Sequence, residues 1–199
     1  FPPPREAWPK MSPRPVTFSR PPPSYQCPDK NEKAGVPMKQ QHQWFCDQVE
    51  QHKVALYRLA RSILRSDEDA KDAVAEAVCR AFAHLDSLKK PERFKSWLLR
   101  ITANEAYNIL DRRRRLVSLE DYGREVPAPD PFRGTEDSLW PLVLSLPDTL
   151  RGPISLYYYD GSSVREIAEV LGLTEGAVKT RLNRGRQALK HILEKEGVV

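Results

Sequence analysis

Arg100, Asn104, Asn108 and Arg112 recur every four residues, a spacing that places them on one face of a helix. Tyr107, Asp111 and Arg115 flank that face. Amides and guanidinium groups hydrogen-bond base edges and phosphates, and an aromatic ring stacks on an unpaired base. A second set stands about seventy residues further on, in "EGAVKTRLNRGRQALK". Lys179, Thr180 and Asn183 carry groups that read base edges, while Arg181, Arg184 and Arg186 beside them suit phosphates. From Gly176 to Leu193 there are five Lys or Arg and no acid. A third set, Asp69, Asp72 and Glu76, falls at i, i+3 and i+7 and makes one acidic helix face. Each set also has a plain reading as a solvated face, the last with a Glu76–Arg80 helix pair and the first with arginines complementing the helix dipole.

Catalysis has no comparable set of residues. The sequence holds no phosphate-binding loop, metal-ligand cluster or paired-carboxylate constellation. The four histidines are scattered. No catalytic residue, metal or cofactor is expected, and the chain does not read as an enzyme. Cys27, Cys46 and Cys79 lack CxxC spacing and read as free thiols of a reducing cytosol. No apolar run approaches the roughly 20 residues that span a bilayer, and the N-terminus lacks a signal-peptide core. These features predict a cytoplasmic protein. A net charge of +5 and a pI of about 9.1 favour a polyanionic partner only weakly.

The elements that must position these residues are helical. Phe45, Val49, Leu56, Leu59, Ala60 and Ile63 follow a helical period. Ser66 then caps a second helix that has acids in its first turn, with Val74, Val78, Phe82 and Leu85 as its expected buried stripe. Pro91 suits the start of a third helix, whose apolar side is Phe94, Trp97, Leu98 and Ile101. Residues 42–115 therefore read as one helical domain. Residues 116–137 contain three prolines, two glycines and six acids against two arginines, with no apolar period. They read as a flexible acidic linker between two domains. Residues 1–38 form a proline-rich tail: eleven of the eighteen prolines fall in the first 37 residues, which predicts a disordered or polyproline-like segment. Composition changes at Met38, which makes it the expected natural start.

Residues 138–195 return to helix. "LWPLVLSLP" and "GPISLYYYDG" read as short apolar helices punctuated by Pro147, Pro153 and Gly161, with one or two of the three tyrosines packed in the core. Ser163 and Glu166 form a capping box for the next helix, which buries Val164, Ile167, Ala168 and Leu171. Gly172 supplies the left-handed turn, Leu173 plugs it, and Thr174 caps the last helix. Val178, Leu182, Leu189 and Ile192, with the small Gly185, make that helix's inner stripe. Helix, glycine turn and basic helix together form a helix-turn-helix, whose second helix enters the major groove.

The chain resembles the extracytoplasmic function (ECF) group of the bacterial sigma-70 family over roughly residues 42–195. "DEDAKDAVAEAVCRAFAHLDS" and "FKSWLLRITANEAYNILDRRRR" resemble family region 2, and "LPDTLRGPISLYYYDGSSVREIAEVLGLTEGAVKTRLNRGRQAL" resembles region 4. The ordered pair is more specific than the helix-turn-helix, which other regulators share. The resemblance implies an all-α fold of two small domains and a sigma factor that directs core RNA polymerase to promoters. Region 4 would read the −35 duplex through Lys179, Thr180 and Asn183, with Arg184 on phosphate. Region 2 would open the −10 element, with Asn104 in a base pocket holding a flipped base. Asp69, Asp72 and Glu76 would dock on the β′ coiled coil, and the linker would occupy the polymerase channel. Core polymerase through its β′ and β subunits, promoter DNA and an anti-sigma factor are the implied partners. Ala75 stands where the family often has glutamine, and Asn108 where many relatives have aspartate. The alternative is a stand-alone helix-turn-helix regulator, with residues 42–115 as a sensing or dimerising domain.

Overall fold

The computed structural model describes residues 38–117 and 139–195, with only the backbone for 38–40 and 114–117. The proline-rich tail, Cys27 and the acidic linker lie outside the described residues. Every regular element among those described is helical: α1 (Met38–Leu64), α2 (Asp67–Ala83), α3 (Phe94–Val117), α4 (Trp140–Ser145), α5 (Asp148–Tyr158), α6 (Val164–Leu171) and α7 (Glu175–Lys195). Two short 3₁₀ turns, Leu85–Ser87 and Pro91–Arg93, connect α2 to α3.

Helices α1, α2 and α3 form the first half. Leu56, Leu59 and Ala60 of α1 and Leu98, Ala103 and Ala106 of α3 are fully or almost fully buried. Each large apolar side chain buried in this way contributes about 1.5–3 kcal/mol. The stripe expected on α2 is corrected by the structure. Its buried seam is Ala70, Ala73, Ala77 and Ala81, at i, i+3, i+7 and i+11, while Val74 and Val78 are half-buried and Phe82 is exposed. Large apolar residues bury the most area, and the sequence pattern therefore points to them. Here alanines line the contact with α1 and α3, and the larger residues lie towards the rim. Phe82 still packs edge-on against Phe45, with ring centroids 5.3 Å apart. Ser66 caps α2 as expected, its hydroxyl accepting from the Asp69 amide.

Helices α4 to α7 form the second half, around Trp140, Val143, Leu146, Ile154, Ile167, Val178 and Leu182. The local signals here hold in detail. Ser163 and Glu166 make both bonds of the capping box, and Gly172 ends α6 at φ 65°. The Thr174 hydroxyl accepts from the Ala177 amide at the start of α7. Glu166 is a carboxylate held below the usual range by hydrogen bonds from the Ser163 backbone and hydroxyl. Pro153 does not interrupt: it lies inside α5, six residues in and past the first turn, so the helix continues to Tyr158 without an amide from that position to the Thr149 carbonyl. Of the three tyrosines, Tyr159 packs on Trp140, while Tyr157 and Tyr158 are exposed.

The halves do not merely share a tether. Helix α5 lies against α1 and α6 against α3, and the buried residues of both halves form one continuous cluster.

Candidate nucleic-acid interface

The second half presents its basic helix outward. Val178, Leu182 and Gly185 are the buried residues of α7. Lys179, Thr180, Asn183, Arg184 and Arg186 are all exposed, and Arg181 is partly covered. The Thr180 hydroxyl donates to the Gly176 carbonyl at 2.9 Å, and the residue is exposed. Six predicted residues thus lie along one helix whose opposite side is fixed in the core by α5 and α6.

On α3, Asn108 and Arg112 are exposed, and Arg100, Asn104 and Tyr107 are partly buried. Arg112 leans back on its own helix, its Nε 3.4 Å from the Asn108 carbonyl. The inner side of the helix is held by Leu98, Ile101, Thr102, Glu105 and Ala106. Glu105 is buried and accepts from Arg80 of α2 at 2.9 Å, which fixes the rotation of α3 against α2. The four-residue stripe therefore does lie on one accessible face. The side chain of Arg115 lies outside the described residues.

A basic hollow of about 510 Å³ adjoins this stripe. Ser87, Leu88, Lys89, Lys90, Arg93, Ser96, Trp97 and Arg100 line it from the first half, and Glu169 of α6 lines it from the second. Lys89, Lys90 and Arg93 were not singled out from the sequence. Their signal was the run "KKPER", which reads as an ordinary connection until the turn brings it beside Arg100.

The three acids predicted on α2 separate. Asp72 and Glu76 are exposed, Glu76 being 3.9 Å from Arg80. Asp69 is mostly buried and bonds Arg113 of α3 at 2.7 Å. Its place in an exposed trio is corrected: it joins α2 to the far part of α3, and the exposed acidic face is Asp72 and Glu76. Asp67 at the start of α2 is also engaged, with Lys71 and Tyr57 holding its carboxyl below the usual range.

The junction between the halves carries a buried cation that the sequence reading missed. Arg151 of α5 is fully buried. Its Nε donates to the Ser62 carbonyl at 2.7 Å, its Nη2 reaches the Ile63 carbonyl at 3.5 Å and its Nη1 the Leu144 carbonyl at 3.5 Å. Asp148 lies 3.0 Å from it, and 2.9 Å from Arg65. Burial pulls the guanidinium down to about 10, a shift that Asp148 opposes. At the rim, Lys95 of α3 bonds Asp160 at 2.8 Å, and Arg58 of α1 stacks over Tyr159 at 4.8 Å.

No group of three or more His, Cys, Asp or Glu among the described residues is placed to hold a metal. No described helix is long and apolar enough to cross a membrane.

Known proteins share this arrangement. The Sigma-70 region 2 model matches residues 48–116 and the Sigma-70, region 4 model matches residues 137–189. The ECF RNA polymerase sigma factor SigE of Mycolicibacterium smegmatis is 36% identical over 157 residues, which cover 74% of this chain and 60% of that protein. The ECF RNA polymerase sigma factor SigW of Bacillus subtilis is 32% identical over 162 residues, 73% of this chain and 87% of that protein. Among solved structures, the sigma factor RpoE of Bartonella quintana, in complex with the anti-sigma factor NepR, superposes with a TM-score of 0.68 at 26% identity, covering 76% of this chain and 98% of that one. The chain belongs to the sigma-70 family, in its ECF group. Its function is that of a sigma factor in promoter-specific transcription initiation, and the family consists of initiation factors rather than catalytic enzymes.

Proposed function

We propose that this chain docks on core RNA polymerase through the Asp72–Glu76 face of α2, reads −35 duplex with α7 and opens the −10 element with the α3 stripe. The observation that carries the reading is the division of α7. Its inner side is pinned at Val178, Leu182 and Gly185, so Lys179, Thr180 and Asn183 point out together with a flank of arginines. That is the form of a major-groove reader, with base-reading groups in the middle and phosphate-binding groups beside them. On α3, an amide and arginine stripe beside a cationic hollow suits a single strand and an extruded base, because phosphates and exposed base edges are met together.

The protein acts in the cytoplasm in this reading, where polymerase and promoter are found. An anti-sigma factor is a further partner, a reading supported by two structural relatives whose complexes contain one: RpoE with NepR, and CnrH with the cytosolic domain of CnrY. The test is reconstitution. Core polymerase supplemented with the chain is expected to give transcripts from discrete start sites on genomic DNA. A stand-alone regulator would bind duplex DNA and show no affinity for core enzyme, and that result would falsify the proposal.

A further inference from the structure

The closed packing of the two halves raises a question that rests on the promoter-reading proposal. The −35 and −10 elements lie about 25 base pairs apart, or roughly 85 Å at about 3.4 Å per pair. A compact body of roughly 140 residues is only about 40 Å across. In the closed chain α6 of the reading motif lies directly on α3, and Glu169 of α6 lines the basic hollow 3.8 Å from Arg93. A carboxylate there stands where a phosphate would, so the hollow is partly masked by the chain itself. Both elements cannot be held in this arrangement, and the halves must part.

We infer that Arg151 is an intramolecular latch that keeps the free chain closed, and that its release is a step in loading onto polymerase and promoter. Helix α1 ends at Leu64, so the carbonyls of its last turn lack partners within the helix. The Arg151 guanidinium enters from the other half and serves the Ser62 and Ile63 carbonyls, at the negative end of the helix dipole. Gly152 of α5 lies beside it: a Cβ atom there would sit 4.0 Å from Ser62 Oγ, an ordinary van der Waals contact between the two helices. Asp148 completes the latch by bonding both Arg151 and Arg65 of the first half. When the halves separate, water can satisfy the carbonyls and hydrate the cation. The latch therefore contributes to closure while letting the chain open without leaving a buried charge unpaired. Removing the guanidinium reverses this balance, since the closed form alone would then hide unpaired carbonyls.

The experiment reads the closed fraction in the full chain. With Cys27→Ser and Cys79→Ser, spin labels go on Cys46 and on Gln187→Cys, both exposed positions on α1 and α7. The unmutated latch is expected to give one short, narrow distance. Arg151→Met keeps the length of the side chain and is expected to raise the long-distance population by roughly tenfold, as expected for loss of charge-assisted hydrogen bonds. Asp148→Asn with Asp160→Asn removes the carboxylates that pair with Arg151, Arg65 and Lys95 at the junction, leaves the buried apolar side chains untouched, and is expected to shift the population in the same direction. Circular dichroism checks that helicity is retained. Because only the open fraction loads, Arg151→Met is also expected to bind core polymerase more tightly by the ratio of open fractions. A long or broad distance in the unmutated chain overturns the inference, as does a short distance retained by both variants. Opened variants with unchanged polymerase affinity overturn the loading role. If no variant binds core polymerase, the sigma-factor docking proposal fails, while the distance measurements still decide the latch.

Discussion

A Cβ atom placed on Gly185 of α7 would come within 2.6 Å of Cγ1 and 2.7 Å of Cδ1 of Ile154 on α5. The helix carrying the proposed −35 readers is seated through this contact. Alanine would ordinarily stabilise a helix interior by about 0.5–1 kcal/mol relative to glycine. Overpacking of about 1–3 kcal/mol opposes that gain. Gly185→Ala is therefore expected to lower stability by about 1 kcal/mol. Ile154→Ala is expected to relieve the clash, so that the double variant is destabilised by less than the sum of the singles. Thermal or urea melts of the four proteins measure this.

Base reading and phosphate binding should separate on α7. Lys179→Ala and Asn183→Ala are each expected to relax preference at particular −35 positions, by about 1–3 kcal/mol per lost contact. Arg184→Ala is expected to weaken all sequences alike and to reduce the salt slope by roughly one. Competition binding on a −35 duplex library at two salt concentrations checks both. Uniform losses from all three would remove the assignment of readers.

Asn104→Ala is expected to leave core binding and −35 binding intact and to impair open-complex formation. A flipped base loses its polar partner only after the strands part. Permanganate footprinting on a closed duplex and on a pre-melted −10 bubble tests this. The bubble should rescue Asn104→Ala better than Lys179→Ala.

The acids of α2 should divide by partner. Asp72→Lys with Glu76→Lys touches exposed groups and is expected to cost under about 1 kcal/mol of stability while abolishing core binding. Asp69→Ala removes the bond to Arg113 and is expected to destabilise the first half instead. Native gel shift with core enzyme, beside circular dichroism melts, distinguishes the two effects.

His52 should give the fold an acid-sensitive step. It lines the groove between α1 and α5, and its pKa is lowered from 6.5, first by burial and then by Lys95, with Asp160 opposing. The folded state therefore binds fewer protons than the unfolded chain just below pH 6.5. Stability is full above that value and falls as pH drops through the lowered folded value. His52→Gln is expected to flatten this part of the profile. Urea midpoints between pH 7.5 and about 5 measure it.

The parts of this structure legible in the sequence are those that neighbours in the chain decide. The capping box at Ser163 and Glu166, the left-handed Gly172 and the Thr174 cap involve residues within a few positions of each other. They placed α6 and α7, and hence the outward face of α7. What remained hidden depends on distant partners. Arg151 meets Ser62 across 89 positions, and Asp69 meets Arg113 across 44. An arginine or aspartate in a helix pattern carries no mark of such a partner, and the default reading is solvent. The alanine seam of α2 was hidden for a different reason. Large apolar residues dominate the periodic signal of a helix, and Val74, Val78 and Phe82 satisfy it one step around α2 from the true contact.

That alanine seam has a consequence for how such a protein can diverge. On the inner face of α2 almost any replacement of Ala70, Ala73, Ala77 or Ala81 is an enlargement at a fully buried position, which overpacking opposes. The outer face is under no comparable steric demand. Folding thus holds one side of the helix to a single small residue and leaves the other side to be chosen by whatever it meets. Specificity for a partner can drift there in single steps, without any compensating change in the core.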